Sequence, residues 1–146
     1  MSRARRLEPV RAIAHDAERA VAIRVANAEK RLADALQREQ DLRRYRQEYA
    51  DSYKARVGRG LQIRQLRDYQ SFLARLDVAI EAHRSNVAQL REEIEQERTR
   101  LRGAMAHRKA LGTVIERAQR EERIMIDRRT QNELDEHALR RTRGGS

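Results

Sequence analysis

The chain has 146 residues, a formal net charge of +10 and 38% charged residues, but only 3% aromatic residues and no cysteine. This length allows at most one ordinary domain, and the absence of cysteine excludes a disulfide framework and any thiolate site. Because the sequence has neither an apolar run of about 18 residues nor a secretory signal pattern, we expect a protein that is made and kept in the cytoplasm.

The helix-breaking residues divide the chain into two long helices. Pro9 lies near the start, where a helix tolerates proline in its first turn. Gly58 and Gly60 form the one glycine pair before the C-terminal tail, and glycine adopts the backbone conformations of a tight turn at little cost. We predict a single domain, 1–146, with a helix over about 10–57, a turn over about 58–61, a helix over about 62–140 and a flexible basic tail over 141–146.

Both predicted helices carry an apolar repeat with alternating spacings of three and four residues. In the first helix it comprises Val10, Ala14, Ala17, Val21, Val25, Ala28, Leu32, Ala35, Leu42, Tyr49 and Tyr53. In the second it comprises Leu66, Tyr69, Leu73, Leu76, Ile80, His83, Val87, Leu90, Ile94, Glu97, Leu101, Ala104, Arg108, Leu111, Ile115 and Ala118, with Glu97 and Arg108 as polar interruptions. Such a period is typical of a left-handed coiled coil. The sequence therefore predicts an all-α fold, in which two long helices form an antiparallel coiled-coil hairpin.

The end of the second helix is left without a partner in such a hairpin. A turn near residue 59 makes residue i face about residue 119 − i, so the first helix ends opposite about residue 110. Residues 113–140 would then project by about 40 Å. This segment combines apolar side chains with many arginines, and an isolated amphipathic helix of its length is marginal in water. We therefore expect a partner to bind it.

The sequence contains no recognisable catalytic constellation. It lacks a glycine-rich phosphate loop and a nucleophile elbow, and its four histidines do not have the spacing of metal ligands. We therefore expect no enzyme activity, no catalytic residue, no metal site and no cofactor. The expected function is binding.

Apolar and aromatic side chains gather near the turn on both predicted helices. Leu42, Tyr45 and Tyr49 lie at positions i, i+3 and i+7 of the first helix. In the second helix, Phe72 and Ala79 lie beside the apolar repeat rather than in it. Side chains that fit the packing between the helices poorly favour an exposed docking patch.

Three segments of the chain resemble the FliJ family of the bacterial flagellar export apparatus. They are Tyr45-Arg-Gln-Glu-Tyr49, Tyr69-Gln-Ser-Phe72-Leu-Ala-Arg-Leu76-Asp-Val-Ala79-Ile-Glu-Ala-His83 and the later Asn132-Glu-Leu-Asp-Glu136. The resemblance covers nearly the whole chain, including both helix lengths and the position of the turn. It implies an antiparallel coiled-coil hairpin similar to the central stalk, or gamma subunit, of rotary ATP synthases.

The resemblance also implies partners. FliJ proteins bind the hexameric export ATPase FliI and promote its ring assembly, contact the export gate protein FlhA, and cycle empty flagellar export chaperones. This implies a cytoplasmic location, peripheral to the inner membrane at the flagellar base, without membrane insertion or nucleic-acid binding. The end that holds both termini resembles the part of the stalk that enters the ATPase ring. The family's gate-binding patch matches Leu42, Tyr45, Tyr49, Phe72, Leu76, Ala79 and His83, and Arg38 stands where the family has a glutamine.

Several alternatives stay open at this level. Packing between the two helices explains Leu76 as well as a docking role does, and His83 is typical of a residue in the apolar repeat. The same architecture also suits the equivalent stalk of a virulence type III secretion system. The basic excess is equally consistent with solvated charges or with a scaffold that binds nucleic acid or an anionic membrane.

Overall fold

The computed structural model describes residues 2–60 and 62–144. Within these ranges the chain forms two α-helices and no strand: α1 spans Arg3–Val57 and α2 spans Ile63–Gly144. The two helices pack against each other, which confirms the predicted all-α helical hairpin. Residues 141–144, which the sequence predicts as a flexible tail, belong to α2. Gly145 and Ser146 lie outside the described residues.

The connection between the helices depends on one glycine with a left-handed backbone. Gly60 has a φ of +82°, a conformation that a residue with a Cβ atom rarely adopts. Its N–H donates to the carbonyl of Val57 at 3.3 Å, which closes the last turn of α1. At the start of α2, the side chain of Gln65 accepts a hydrogen bond from the N–H of Gln62 at 3.3 Å. This satisfies a donor that the helix itself leaves free.

The start of α1 differs from the prediction, because the helix begins at Arg3 and contains Pro9. Proline lacks the N–H that bonds to the preceding turn, so a helix start close to Pro9 was expected. Two contacts stabilise the earlier start. The Ser2 hydroxyl accepts a hydrogen bond from the N–H of the third helical residue at 3.2 Å, as an N-cap does. The N–H of Ala4 donates to Glu122 of α2, also at 3.2 Å.

The chain divides into two compact units, each built from one stretch of α1 and one stretch of α2. Unit 1 comprises Met1–Val21 and Leu101–Ser146, and unit 2 comprises Ala22–Arg100. In both units the paired residues run in opposite directions along the two helices, so the stretches are antiparallel. The pairs that show this are Ala4 with Glu122 and Glu18 with Arg108 in unit 1, and Arg24 with Glu97 and Arg46 with Asp77 in unit 2.

The core of unit 1 is a thin layer of small and aliphatic side chains. Its buried residues are Ala4, Ala14, Val21, Ile115 and Ala118. The predicted repeat is wrong by one residue in part of α1, where Val10 and Ala17 are exposed and Glu18 faces α2. The ion pair between Glu18 and Arg108 explains this one-residue shift. Arg108 is a charged residue within the apolar repeat of α2, and Glu18 faces it and neutralises its charge.

Unit 1 also corrects the predicted pairing and with it the unpaired segment. The 119 − i rule places Ala4 opposite about residue 115, whereas Ala4 contacts Glu122. The helix α1 begins at Arg3 instead of about residue 10, and its first residues face positions of α2 further along the chain than the rule predicts. The pairing of the two helices therefore continues to Glu122. The unpaired part of α2 therefore starts at residue 123 rather than 113. We call residues 123–144 the terminal arm, and every one of its residues is exposed.

The core of unit 2 follows the predicted repeat closely. Its buried residues are Val25, Ala28, Ala35, Leu76, Ile80, Val87 and Ile94, all of which are members of that repeat. The polar interruption Glu97 forms ion pairs with Arg24 at 3.2 Å and with Arg100 at 2.6 Å. A carboxylate at the edge of the core thus keeps hydrogen-bond partners, as a partly desolvated charge requires.

We expect the substitution Ile115→Ala to destabilise the protein by about 2–5 kcal/mol, because Ile115 is fully buried and its truncation leaves a cavity. Ile126→Ala is the matched control, since Ile126 lies in the same helix but is exposed, and we expect a change within about 0.5 kcal/mol. Urea unfolding followed by circular dichroism measures both. Equal midpoints for the two variants would contradict the assignment of Ile115 to the core.

Candidate functional site

Unit 2 gathers every aromatic side chain of the protein near the turn. The chain has four tyrosines, one phenylalanine and no tryptophan. We call the five residues the aromatic cluster: Tyr45, Tyr49 and Tyr53 from α1, and Tyr69 and Phe72 from α2. The spacings of four residues in α1 and three in α2 place each set on one face of its helix. The antiparallel pairing then brings the two sets together.

The rings of the aromatic cluster form one continuous series of contacts. Tyr53 and Tyr69 are stacked with centroids 3.5 Å apart, and Tyr69 is stacked with Tyr49 at 5.3 Å. Tyr49 contacts Phe72 at 4.6 Å in a tilted arrangement, and Phe72 meets Tyr45 edge-on at 6.2 Å. Each such pair contributes about 0.5–1.5 kcal/mol beyond its buried area. The cluster therefore links the two helices and holds its rings in fixed orientations.

The aromatic cluster keeps part of its surface in contact with solvent. Tyr45 is 49% exposed, and the other four residues are half-buried. Large rings that are rigidly held and still accessible are typical of protein-binding surfaces, where tyrosine is enriched among the residues that dominate affinity. The arrangement is thus suited to docking a protein partner.

The seven predicted patch residues differ in their contacts and in their exposure to solvent. It brings Tyr45, Tyr49 and Phe72 into ring contact. Leu42, Ala79 and His83 are half-buried. Leu76 is only 8% exposed, so nearly all of its side chain packs in the core and little of it remains for a partner. The docking role of the seven residues stays a prediction, and the accessible part of the surface is mainly aromatic.

An ion pair beside the aromatic cluster was missed by the sequence analysis. The guanidinium of Arg46 donates to both carboxylate oxygens of Asp77, at 2.5 and 3.3 Å. This hydrogen bonding lowers the pKa of Asp77 and raises the pKa of Arg46, because it favours the charged form of each group. The spacing in the sequence could have indicated that Arg46 faces α2, because Arg46 lies four residues after Leu42 and three residues before Tyr49, which is the period of the apolar repeat. Tyr53 and Tyr69 were placed in the repeat but not in the patch.

The terminal arm is a second exposed surface, and its chemistry differs from the expectation. Ile124, Met125, Ile126, Leu134 and Leu139 are all exposed. At about 100° per residue, these five side chains point in directions distributed around the whole helix. The apolar side chains therefore surround the arm instead of forming one stripe, and the predicted amphipathic character is wrong here. Arginines are distributed among them at positions 123, 128, 129, 140, 141 and 143. A partner that covers these side chains must enclose the arm.

Residues 2–60 and 62–144 contain neither a metal-binding cluster nor a membrane-spanning helix. No group of three or more histidine, aspartate or glutamate side chains in these ranges is arranged to hold a metal ion. Neither described helix contains a segment long and apolar enough to cross a membrane.

Comparison with known proteins identifies one family. The family model described as flagellar FliJ protein matches residues 2–145. The matched range contains both the aromatic cluster and the terminal arm, and the match confirms the resemblance seen in the sequence. Searches of curated proteins and of solved structures found no match.

We expect the ion pair of Arg46 with Asp77 to make the stability of unit 2 dependent on pH. The pKa of Asp77 is lowered in the folded state, so its contribution is present above the unfolded pKa and is lost as the pH falls through the folded pKa. Asp77→Asn should therefore unfold at a lower temperature than the parent at neutral pH, and the difference should vanish in acid. Thermal unfolding followed by circular dichroism at several pH values measures this.

A double-mutant cycle separates the ion pair from other effects. Arg46→Gln should give a similar loss at neutral pH, and combining it with Asp77→Asn should add little, because either change removes the same interaction. Additive losses in the double variant, or a loss that persists unchanged in acid, would show that the two side chains act independently.

Proposed function

We propose, because the chain belongs to the FliJ family, that it acts as the stalk of the flagellar export ATPase and links that ATPase to the export gate. Membership makes it a flagellar export-related protein from a non-catalytic family. In the proposed role the terminal arm binds the FliI ring and promotes its assembly and activity. The aromatic cluster binds FlhA, and the protein also handles empty export chaperones. It would act at the cytoplasmic side of the inner membrane, at the flagellar base.

The aromatic cluster is the observation that supports gate binding. Its rings are held by contacts with one another, at centroid distances of 3.5 to 6.2 Å, so little side-chain freedom is lost when a partner binds. Tyr45 presents about half of its surface. An aromatic surface that is ordered before binding, and that belongs to the segment resembling the family's gate-binding patch, favours FlhA as its partner.

The terminal arm supports ATPase binding. All of its residues are exposed, and its apolar side chains point to all sides of the helix. A flat surface would cover only one side of such a helix and leave the remaining apolar groups in water. A ring that encloses the helix covers all of them, so the arrangement favours insertion into the centre of an assembly such as the FliI hexamer.

The other two functions considered for this chain receive less support. The family match is to flagellar proteins, which disfavours the equivalent stalk of a virulence secretion system. Proteins that bind single-stranded nucleic acid stack bases on open aromatic faces. Here Tyr53 and Tyr69 stack on each other at 3.5 Å, and the terminal arm contains no aromatic residue.

We expect removal of residues 123–146 to abolish stimulation of ATP hydrolysis by the cognate FliI. The helix pairing ends at Glu122, so the shortened protein should keep its core and its unfolding midpoint. Steady-state hydrolysis with increasing amounts of each protein, together with electron microscopy of rings, measures the effect. Undiminished stimulation by the shortened chain would overturn the assignment of the terminal arm.

We expect Tyr45→Ala to weaken binding to purified FlhA by about tenfold or more, as truncation of a central aromatic contact does. Phe72→Ala should have a similar effect. Val78→Ala is the control, because Val78 lies in the same unit and is 71% exposed but is outside the aromatic cluster. Biolayer interferometry measures affinity, and circular dichroism checks folding. Equal affinities for Tyr45→Ala and Val78→Ala would refute the proposed gate surface.

A further inference from the structure

We propose that the turn between the helices carries a contact site for anionic lipid headgroups, which binds the surface of a membrane without crossing it. We call residues 54–60 and 62–67 the turn tip. The site consists of the positive charges and the exposed aliphatic side chains of the turn tip. The inference is independent of the proposed partners, because it rests on the charge and exposure of these residues alone.

The turn tip is positively charged and contains no acidic side chain of its own. No aspartate or glutamate occurs between Asp51 and Asp68. Five basic residues lie between these two positions: Lys54, Arg56, Arg59, Arg64 and Arg67. All five are exposed, and none of them forms an ion pair with any residue in 2–60 or 62–144.

The charges of the turn tip are close enough to act together. Lys54 lies in the last turn of α1, and Arg67 lies within the second turn of α2, which begins at Ile63. At about 1.5 Å per residue, each is within about 6 Å of its helix end. This is below the Debye length of about 8 Å at physiological ionic strength. An anionic surface that touches the turn therefore meets five cations together, with Asp51 and Asp68 as the acidic residues that flank them.

The turn tip also exposes aliphatic side chains to solvent. Ile63 is 73% exposed, and Val57 and Leu66 are exposed as well. The three flank the connection on both helices, next to the arginines. Exposed aliphatic groups beside basic residues are the combination by which proteins adsorb to the membrane interface, where the apolar groups enter the headgroup boundary and the cations bind anionic lipids.

This combination favours lipid over nucleic acid as the ligand. The phosphates of a nucleic acid would bind the basic side chains, but exposed isoleucine and valine side chains would add no affinity for them. An aromatic face next to the turn would serve base stacking, but Tyr53 and Tyr69 are already stacked on each other. The aliphatic side chains therefore distinguish the two ligands, and the experiment uses this difference.

The first test measures binding of the full chain to vesicles by co-sedimentation. The vesicles contain equal parts of phosphatidylglycerol and phosphatidylcholine, and vesicles of phosphatidylcholine alone serve for comparison. Removing two charges with Arg59→Gln and Arg64→Gln together should weaken binding to the anionic vesicles by about 25-fold, since each cation near such a surface contributes about fivefold. Arg84→Gln and Arg91→Gln together are the control, because they remove the same charge from exposed positions away from the turn.

The second test examines the aliphatic side chains. Ile63→Ser should weaken binding to anionic vesicles by about fivefold or more, whereas Val78→Ser, an equally exposed control at 71%, should change nothing. Binding of a duplex DNA oligonucleotide is measured for the same variants. Loss of vesicle binding in Ile63→Ser with unchanged DNA binding supports the lipid site.

A fluorescent probe reports which part of the protein meets the membrane. The chain contains no cysteine, so Gln62→Cys and Ser85→Cys each provide a unique position for an environment-sensitive dye. We expect a blue shift on addition of anionic vesicles for the dye at position 62 and none for the dye at position 85. The proposal is overturned if both dyes respond alike, if the two arginine pairs lose binding equally, or if Ile63→Ser binds vesicles as the parent does.

Discussion

Each helix of this protein buries one stripe of side chains against the other helix, and every other feature depends on this pairing. Residues 2–60 and 62–144 form only these two helices, so no third element among them covers the remaining faces and the core is one layer thick. It consists mostly of alanine, valine, leucine and isoleucine. In such a core the apolar stripe of each helix must face the other helix closely, because rotating one helix by a single residue position would expose its apolar side chains to water.

The polar residues within the stripes are stabilised by partners on the facing helix. Arg108 pairs with Glu18 in unit 1, and Glu97 pairs with Arg24 in unit 2. No described side-chain polar atom is buried without a hydrogen-bond partner. An ion pair at such a position restricts the register, because sliding one helix would leave both charges partly desolvated and unpaired. We infer that these residues contribute more to the specificity of the pairing than to its strength.

The distribution of aromatic residues separates the candidate surface from the ordinary core. All five lie in unit 2 near the turn, whereas the buried core consists of alanine, valine, leucine and isoleucine. Their contacts with one another hold the helices together and at the same time leave ring surface exposed. A single cluster thus has a structural and a proposed binding role, which explains why Phe72 and Tyr45 are better probes of function than the buried Leu76.

The helical fold, the turn at Gly58 to Gly60 and the apolar repeat of unit 2 were determined by the sequence, because glycine, periodicity and composition act locally along the chain. The aromatic cluster was only partly predictable from the sequence. Tyr45, Tyr49 and Phe72 were predicted to lie together, whereas including Tyr53 and Tyr69 required knowledge of which rings face each other. The tertiary structure alone decided the register in unit 1 and the start of α1 before Pro9. Both involve contacts between residues far apart in the sequence, such as Ala4 with Glu122, and a local pattern along the chain does not specify such contacts.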